Sequence, residues 1–263
     1  MLIKDKLRKE TTPKRVFSVL KLVKLYNGKI KKEDVYNLIQ PLKIVDKQDE
    51  VKRVVKFSIE ENFIKENIDG KLELVIDKEI LNSIKSFRSF CSENIFKNMQ
   101  EESLFFNITS EILSKDLTFY EVKSFENIAN YLENKEVDKE FILGWRYWAE
   151  FIGFGKVLNS QFLINPYERI MERIINNIQY NENNYKINKF ISIIKEECPE
   201  FKRTINNNEI GLSLTVALRT LEAIGVIKIH NIKDSTEVWR LYYSAIDKLE
   251  VTDIEILREN CNE

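Results

Sequence analysis

The chain has 263 residues, with 41 Lys+Arg against 42 Asp+Glu, one His, three Cys and seven Gly. A composition that is 43% hydrophobic and 32% charged is that of a globular chain long enough for two or more cores, and it excludes disorder and a bilayer-embedded fold. His230 and the scattered Cys91, Cys198 and Cys261 offer no local zinc spacing and no Ser-His-Asp or Cys-His set, and the glycines form neither a GxxxxGK[ST] nor a GxGxxG loop. The expectation is a non-enzymatic binding or scaffolding protein with no catalytic residue, no metal and no cofactor. Unclustered cysteines, the absence of an apolar run at Met1–Lys6 and the lack of any stretch of roughly 18–20 apolar residues make a cytoplasmic protein away from membranes the expectation.

Residues 1–32 hold eleven basic groups against Asp5 and Glu10, a net +9, and the remainder carries −10. This basic segment is an expected phosphate-contacting arm, or else the solvated face of a helix. Helices are predicted over Pro13–Tyr26, over Lys32–Gln40 (stopped by Pro41) and over Asp49–Glu61, where Val51, Val54, Val55 and Ser58 share one face. A hairpin follows: Lys65–Ile68, a two-residue Asp69-Gly70 turn, preferred because both positions tolerate positive φ, and Leu72–Ile76. A helix over Lys78–Asn98 leads to helices Glu101–Lys115, Phe119–Glu133 and Lys139–Ile152. A second hairpin then runs Gly153–Leu158, Asn159-Ser160, Gln161–Ile164. Helices Glu168–Ile178, Lys186–Cys198 and Ser213–Ile224 precede a third hairpin of Val226–His230, a turn Asn231–Thr236 and Glu237–Leu241. Asn62, Gly153 and Gly225 stand where a left-handed residue would end each last helix.

Helices followed by a hairpin read as the winged form of the helix-turn-helix. The predicted class is mainly α with small β-hairpins (α+β), built as tandem winged-helix modules. The expected domains are 1–77 (a winged helix with the basic arm), 78–165 (a helical middle domain, or a second winged helix) and 166–263 (a C-terminal winged helix). The last helix of such a module can enter a DNA major groove. Candidate DNA contacts are Lys52, Arg53 and Lys56 with Lys14 and Arg15 in the first module, and Lys202, Arg203 and Arg219 in the last. In the middle, Trp145, Tyr147, Trp148 and Phe151 make a helix apolar around much of its circumference, which suits burial or partner docking better than base stacking. His230 reads as a wing or core histidine. Asp69 and Glu73 lack the acid-x-lysine strand of a nuclease hairpin, and the polar stretch Asn176–Asn184 carries no chemistry.

The run Trp145–Gly155 followed by Phe162-Leu163-Ile164-Asn165-Pro166 resembles a stretch of the protein DpdG family. So do Glu197-Cys198-Pro199, Leu212–Gly225 and the later Asp234 and Trp239. Asn165-Pro166 stands where that pattern has Asp-Pro, which weakens any role for an aspartate there. The resemblance implies a non-enzymatic accessory subunit of a bacterial cluster that inserts 7-deazaguanine bases into DNA and restricts DNA lacking them, a phage-defence setting with DNA and other subunits as partners. The competing readings are a structural adaptor whose winged helices bind only protein and, third, a transcription regulator, which would be a dimer on a palindromic site.

Overall fold

Several helices among the described residues stop at a proline or at a residue with positive φ, and these stops shape the architecture. The computed structural model describes residues 7–96, 103–115, 125–133, 137–159, 161–176, 183–233, 235–242 and 248–257. The protein is α+β, with helices and small, mostly antiparallel sheets. It divides into two compact units, Met1–Phe105 with Glu136–Ile152, and Phe106–Lys135 with Gly153–Glu263. These units are cut differently from the expected segments 1–77, 78–165 and 166–263. The middle segment is shared between them, and the boundary at Ile152/Gly153 parts the aromatic helix from the hairpin that follows it.

In the first unit, α1 (Pro13–Leu25) begins with a proline, whose missing N–H costs nothing in the first turn. It buries Val16, Val19, Leu20 and Val23 and runs out at Asn27 and Gly28, both at positive φ. A two-residue strand, β1 (Ile30–Lys31), leads into α2 (Lys32–Ile39) and then α3 (Asp49–Glu60), which buries Val51, Val54, Val55, Phe57 and Ser58. Asn62, at φ 59°, ends α3 as expected, and β2 (Ile64–Glu66) and β3 (Lys71–Leu74) follow. The sheet order is β1-β3-β2, with Ile30 opposite Leu72 and Ile64 opposite Leu74. The expected two-residue Asp69-Gly70 turn is corrected. The Asn67 side chain accepts from the N–H groups of Asp69 and Lys71, so the loop widens to Asn67–Gly70 and only Gly70 has positive φ.

The expected helix 78–98 is broken at Asn82-Ser83. Asp77 caps a short 3₁₀ turn, Lys78–Leu81, and α4 (Ile84–Phe96) restarts beyond it. After α5 (Leu104–Ser114) comes a 3₁₀ stretch, Phe125–Tyr131, where a helix over 119–133 was expected, residues 119–124 of that reading lying outside the described ones. Then α6 (Lys139–Ile152) closes the first unit's core. Its aromatic layer joins Phe57 to Trp148 (ring centroids 5.8 Å apart), Phe63 and Phe17 to Phe87 (5.9 and 5.5 Å) and Phe87 to Phe151 (5.9 Å).

The second unit takes up the hairpin β4 (Gly155–Leu158) and β5 (Gln161–Ile164), then α7 (Tyr167–Ile170), which continues as a π-turn through Ile175. Next come β6 (Asn184–Lys186), α8 (Ile187–Glu197), a 3₁₀ turn Pro199–Thr204, β7 (Ile205–Asn206), β8 (Glu209–Ile210) and α9 (Leu212–Ala223). The β7–β8 turn is the two-residue pair Asn207-Asn208, both at positive φ. Four strands follow: β9 (Ile227–His230), β10 (Trp239–Tyr242), β11 (Lys248–Val251) and β12 (Asp253–Ile256).

The expected third hairpin is overturned here. Strand β9 pairs not with 237–241 but with β12, placing Ile229 against Ile254 and Ile227 against Ile256, in a sheet ordered β6-β12-β9. Strand β10 belongs to a separate sheet, β11-β10-β8-β7, with Trp239 opposite Val251 and Leu241 opposite Leu249. Thr252 is the switch point: its N–H donates to His230 and its carbonyl accepts from Ile187, carrying one extended run out of one sheet and into the other. At the core of this unit, Arg169 Nε donates to Glu200 Oε1 at 2.8 Å, both residues fully buried.

Candidate nucleic-acid interface

The amphipathic α3 turns Val51, Val54 and Val55 inward, which leaves Lys52, Arg53 and Lys56 on its exposed side. Lys14 and Arg15, in the first turn of α1, are exposed as well, and the contacts of Arg15 tie the two helices together. One guanidinium nitrogen pairs with Glu50 of α3 at 3.0 Å, and another donates to the carbonyl of Glu10 at 3.4 Å. All five expected cations of the first unit are exposed, and Arg15 links the helix that carries Lys14 to the helix that carries Lys52, Arg53 and Lys56.

Their surroundings are less positive than the basic residues alone suggest. Arg53 Nη1 donates to Glu10 Oε1 at 2.6 Å, and Lys56 lies 3.7 Å from Glu60 one turn along. Only Lys14 and Lys52 of the five are without an ion pair to a described carboxylate; the Lys52 ammonium sits 5.9 Å from the centre of the Tyr36 ring. The exposed Arg15–Glu50 and Lys56–Glu60 pairs are worth at most about 1 kcal/mol each, so a phosphate can displace them, whereas Arg53 holds a largely buried carboxylate and is bound more firmly.

From Leu7 onward the N-terminal segment is a docked strap. Leu7 is buried, Arg8 pairs with Asp138 at 3.1 Å, Lys9 reaches Glu140 at 3.7 Å, and Trp148 Nε1 donates to the Thr11 carbonyl at 2.8 Å. A Cβ on Gly144 would stand 2.9 Å from the Arg8 nitrogen, so only glycine lets the strap lie this close to α6. Beside the strap, a cleft of about 530 Å³ is bounded by Arg53, Lys56 and Phe57 of α3 and by the start of α6. Sequence reading missed this cleft because its walls are joined only by contacts tens of residues apart.

In the second unit, Lys202 and Arg203 are exposed on the Pro199–Thr204 turn, whereas Arg219 of α9 is half-buried and bonded to Glu222 at 3.1 Å. Within α9 only Ala223 is exposed; Ser213 Oγ donates to the Leu113 carbonyl and Thr215 Oγ1 to that of Ile210. Of the aromatic set, Trp145 and Trp148 are fully buried and Phe151 is half-buried against Phe87. Tyr147 is half-buried too, with the Arg146 guanidinium 4.9 Å from its ring centre. All four serve α6 as packing residues of the first unit.

His230 bonds Glu255 across the β9–β12 pair at 2.8 Å, and Asn165 Nδ2 donates to Thr220 Oγ1 at 2.9 Å. Among the described residues no group of three or more His, Cys, Asp or Glu could hold a metal ion, and no helix is long and apolar enough to cross a membrane. Comparison with family models, with curated proteins and with solved structures finds no match to this chain.

Proposed function

We propose that the protein is a non-enzymatic DNA-binding accessory subunit, with tandem winged helices, that holds duplex DNA mainly through phosphates on its first unit. The observation that carries the reading is a shared topology. The first unit runs α1-β1-α2-α3-β2-β3 with strand order β1-β3-β2, and the second repeats the order as β6-β12-β9 around α8 and α9. In that topology α3 is the helix offered to a major groove and the Asn67–Gly70 loop is the wing. Lys14, Arg15, Lys52, Arg53 and Lys56 give it a phosphate surface. The largely covered α9 makes the second unit the weaker DNA contact, with Lys202 and Arg203 as its exposed cations. The resemblance to the protein DpdG family supports a setting in a cytoplasmic DNA modification-restriction or phage-defence system, with other subunits as partners.

The test is duplex binding by the purified chain and by a Lys14→Glu, Lys52→Glu double variant, on modified and unmodified DNA of one sequence. Loss of binding in the variant supports the reading, and a preference between the two DNAs would add modification sensing. A second reading, a structural adaptor that never touches DNA, draws on the carboxylates that neutralise Arg15, Arg53 and Lys56. It predicts no duplex binding even at low salt.

A further inference from the structure

We infer that the face formed by the end of α2 and the loop to α3 is a docking surface for a second copy of this chain. Leu38 and Ile39 close α2, and Leu42 and Ile44 follow Pro41 in the loop; they are 52%, 40%, 60% and 80% exposed. Together these four neighbours expose apolar surface on the order of 400 Å², beyond the singly scattered apolar residues of an ordinary surface. The loop is built rather than loose. The N–H groups of Ile44 and Val45 donate to the Pro41 carbonyl at 2.9 and 3.1 Å. The buried Gln48 side chain donates to Asn37 Oδ1 and to the Gln40 carbonyl, both at 2.9 Å. Gln40 Oε1 in turn accepts from the Val51 N–H at 3.2 Å, which ties the base of the loop to α3. A compact loop ordinarily packs its own apolar side chains inward. This one spends its hydrogen bonds on holding the backbone and leaves Leu42 and Ile44 in water.

Area and charge identify the occupant. A standard interface takes about 800 Å² from each partner, a little over half of it apolar, so the patch supplies nearly the whole apolar share of one side. Its polar flank is self-complementary. Lys43, Asp46, Lys47 and Asp49 are exposed, alternate in sign along the loop, and have no ion-pair partner among the described residues. Such a flank gives neither a uniformly acidic nor a uniformly basic partner its counterpart. Placed opposite itself it brings both signs from each copy to meet the other's. The patch also has a socket at its side: Ile39, with Val19, Val51 and Val54, lines a hollow of about 210 Å³, which has room for a leucine or isoleucine side chain. Projecting residues and a hollow on one face fit a two-fold pairing, in which residue i of one copy meets residue j of the other and j meets i. The inference does not rest on duplex binding, since none of Lys14, Lys52, Arg53 and Lys56 belongs to the patch or lines the hollow.

The experiment is sedimentation velocity of the full chain in reducing buffer from about 1 to about 100 μM, with a Leu42→Glu, Ile44→Glu double variant beside it. Both side chains stand mostly in solvent, so the core is left in place, and thermal melts verify folding. The expected result is a reversible equilibrium for the parent, from the mass of one chain toward that of two, and a dimer at least about tenfold weaker in the variant. Charge reversal then separates a second copy from any other occupant. A Lys43→Glu, Lys47→Glu variant and an Asp46→Lys, Asp49→Lys variant should each self-associate more weakly than the parent and regain the dimer when mixed in equal amounts. A chain that stays monomeric throughout overturns the inference, even where a different protein takes the face. So does a dimer that the Leu42→Glu, Ile44→Glu change leaves intact, or a mixture of the reversed variants that associates no better than each alone.

Discussion

Trp148 and Thr11 stand 137 residues apart in the chain, and the indole Nε1 of the first donates to the carbonyl oxygen of the second across 2.8 Å in the interior of the first unit. The bond fixes the N-terminal strap to α6, and with Phe57 at 5.8 Å from the Trp148 ring it sets the wall of the cleft beside α3. Trp148→Phe keeps most of the packing and strands a buried acceptor. It should cost about 1–3 kcal/mol in urea unfolding; an unchanged midpoint would show that the strap is not held by this bond.

The buried pair Arg169–Glu200 predicts an asymmetry in the second unit. Glu200→Leu alone leaves a guanidinium without its carboxylate at full burial and should cost about 3–5 kcal/mol, whereas Arg169→Met with Glu200→Leu should be far milder, because two desolvated charges are removed together. Denaturant titrations of the two variants decide the matter. Equal losses would mean that the site relaxes to admit water.

Burial pushes the thiols of Cys91 and Cys198 well above the ordinary range of a cysteine. Folded thiols that stay protonated contribute stability that is fully present below the unfolded pKa, near pH 8.5, and that falls as pH rises beyond it. The unfolded chain then loses protons that the folded chain keeps, so the loss is about 1.4 kcal/mol per pH unit for each thiol. Unfolding free energies between pH 8 and 10.5 should bend downward and flatten when both residues are replaced by Ala. In the native protein at pH 7.5 neither thiol should react with a maleimide until denaturant is added.

Two glycines should respond differently to the same change. A Cβ on Gly155 would stand 2.1 Å from the Leu163 carbonyl oxygen across the β4–β5 pair, whereas at Gly70 the nearest atom is the mobile Glu66 Oε1 at 3.8 Å. Gly70→Ala should cost about 1 kcal/mol through its positive φ. Gly155→Ala should cost about 1–3 kcal/mol or more by forcing the hairpin apart. Melting curves ranked the other way would contradict the pairing of Gly155 with Ile164 that sets the hairpin register.

Most helices, and the stops of α1, α3, α6 and α9, are legible in the sequence because both are local, whereas the break at Asn82-Ser83 and the 3₁₀ stretch Phe125–Tyr131 are not. The inward stripe of α3 and the left-handed residues Asn62, Gly153 and Gly225 depend on neighbours a few positions away. Strand partners were not legible. The third hairpin was read by joining β9 to the next apolar run, but β10 found the β8 and β11 edges, and β12, more than twenty residues on, supplied the isoleucines that match β9. The five cations of the first unit could be named from sequence, but not their partners, since the Arg53–Glu10 pair spans 43 positions. The cleft and the Arg169–Glu200 pair were invisible for the same reason.

Arg219 offers a control on the DNA reading. Its guanidinium is engaged by Glu222 on a largely covered helix, so Arg219→Ala should leave duplex affinity within about twofold of the parent. A large loss in a gel-shift or anisotropy titration would move the DNA contact into the second unit.

The most direct measurement is the salt dependence of duplex affinity for the parent chain and for the Lys14→Glu, Lys52→Glu variant. Each neutralised phosphate adds about −0.9 to the slope of log K against log salt. With Lys14 and Lys52 engaged and up to three further cations exchanging their carboxylates for phosphate, the expected slope lies between about −2 and −4.5, and it should be shallower by about 2 or more in the variant. No binding at low ionic strength, or a slope that the two reversals leave unchanged, would contradict a phosphate-holding surface on the first unit.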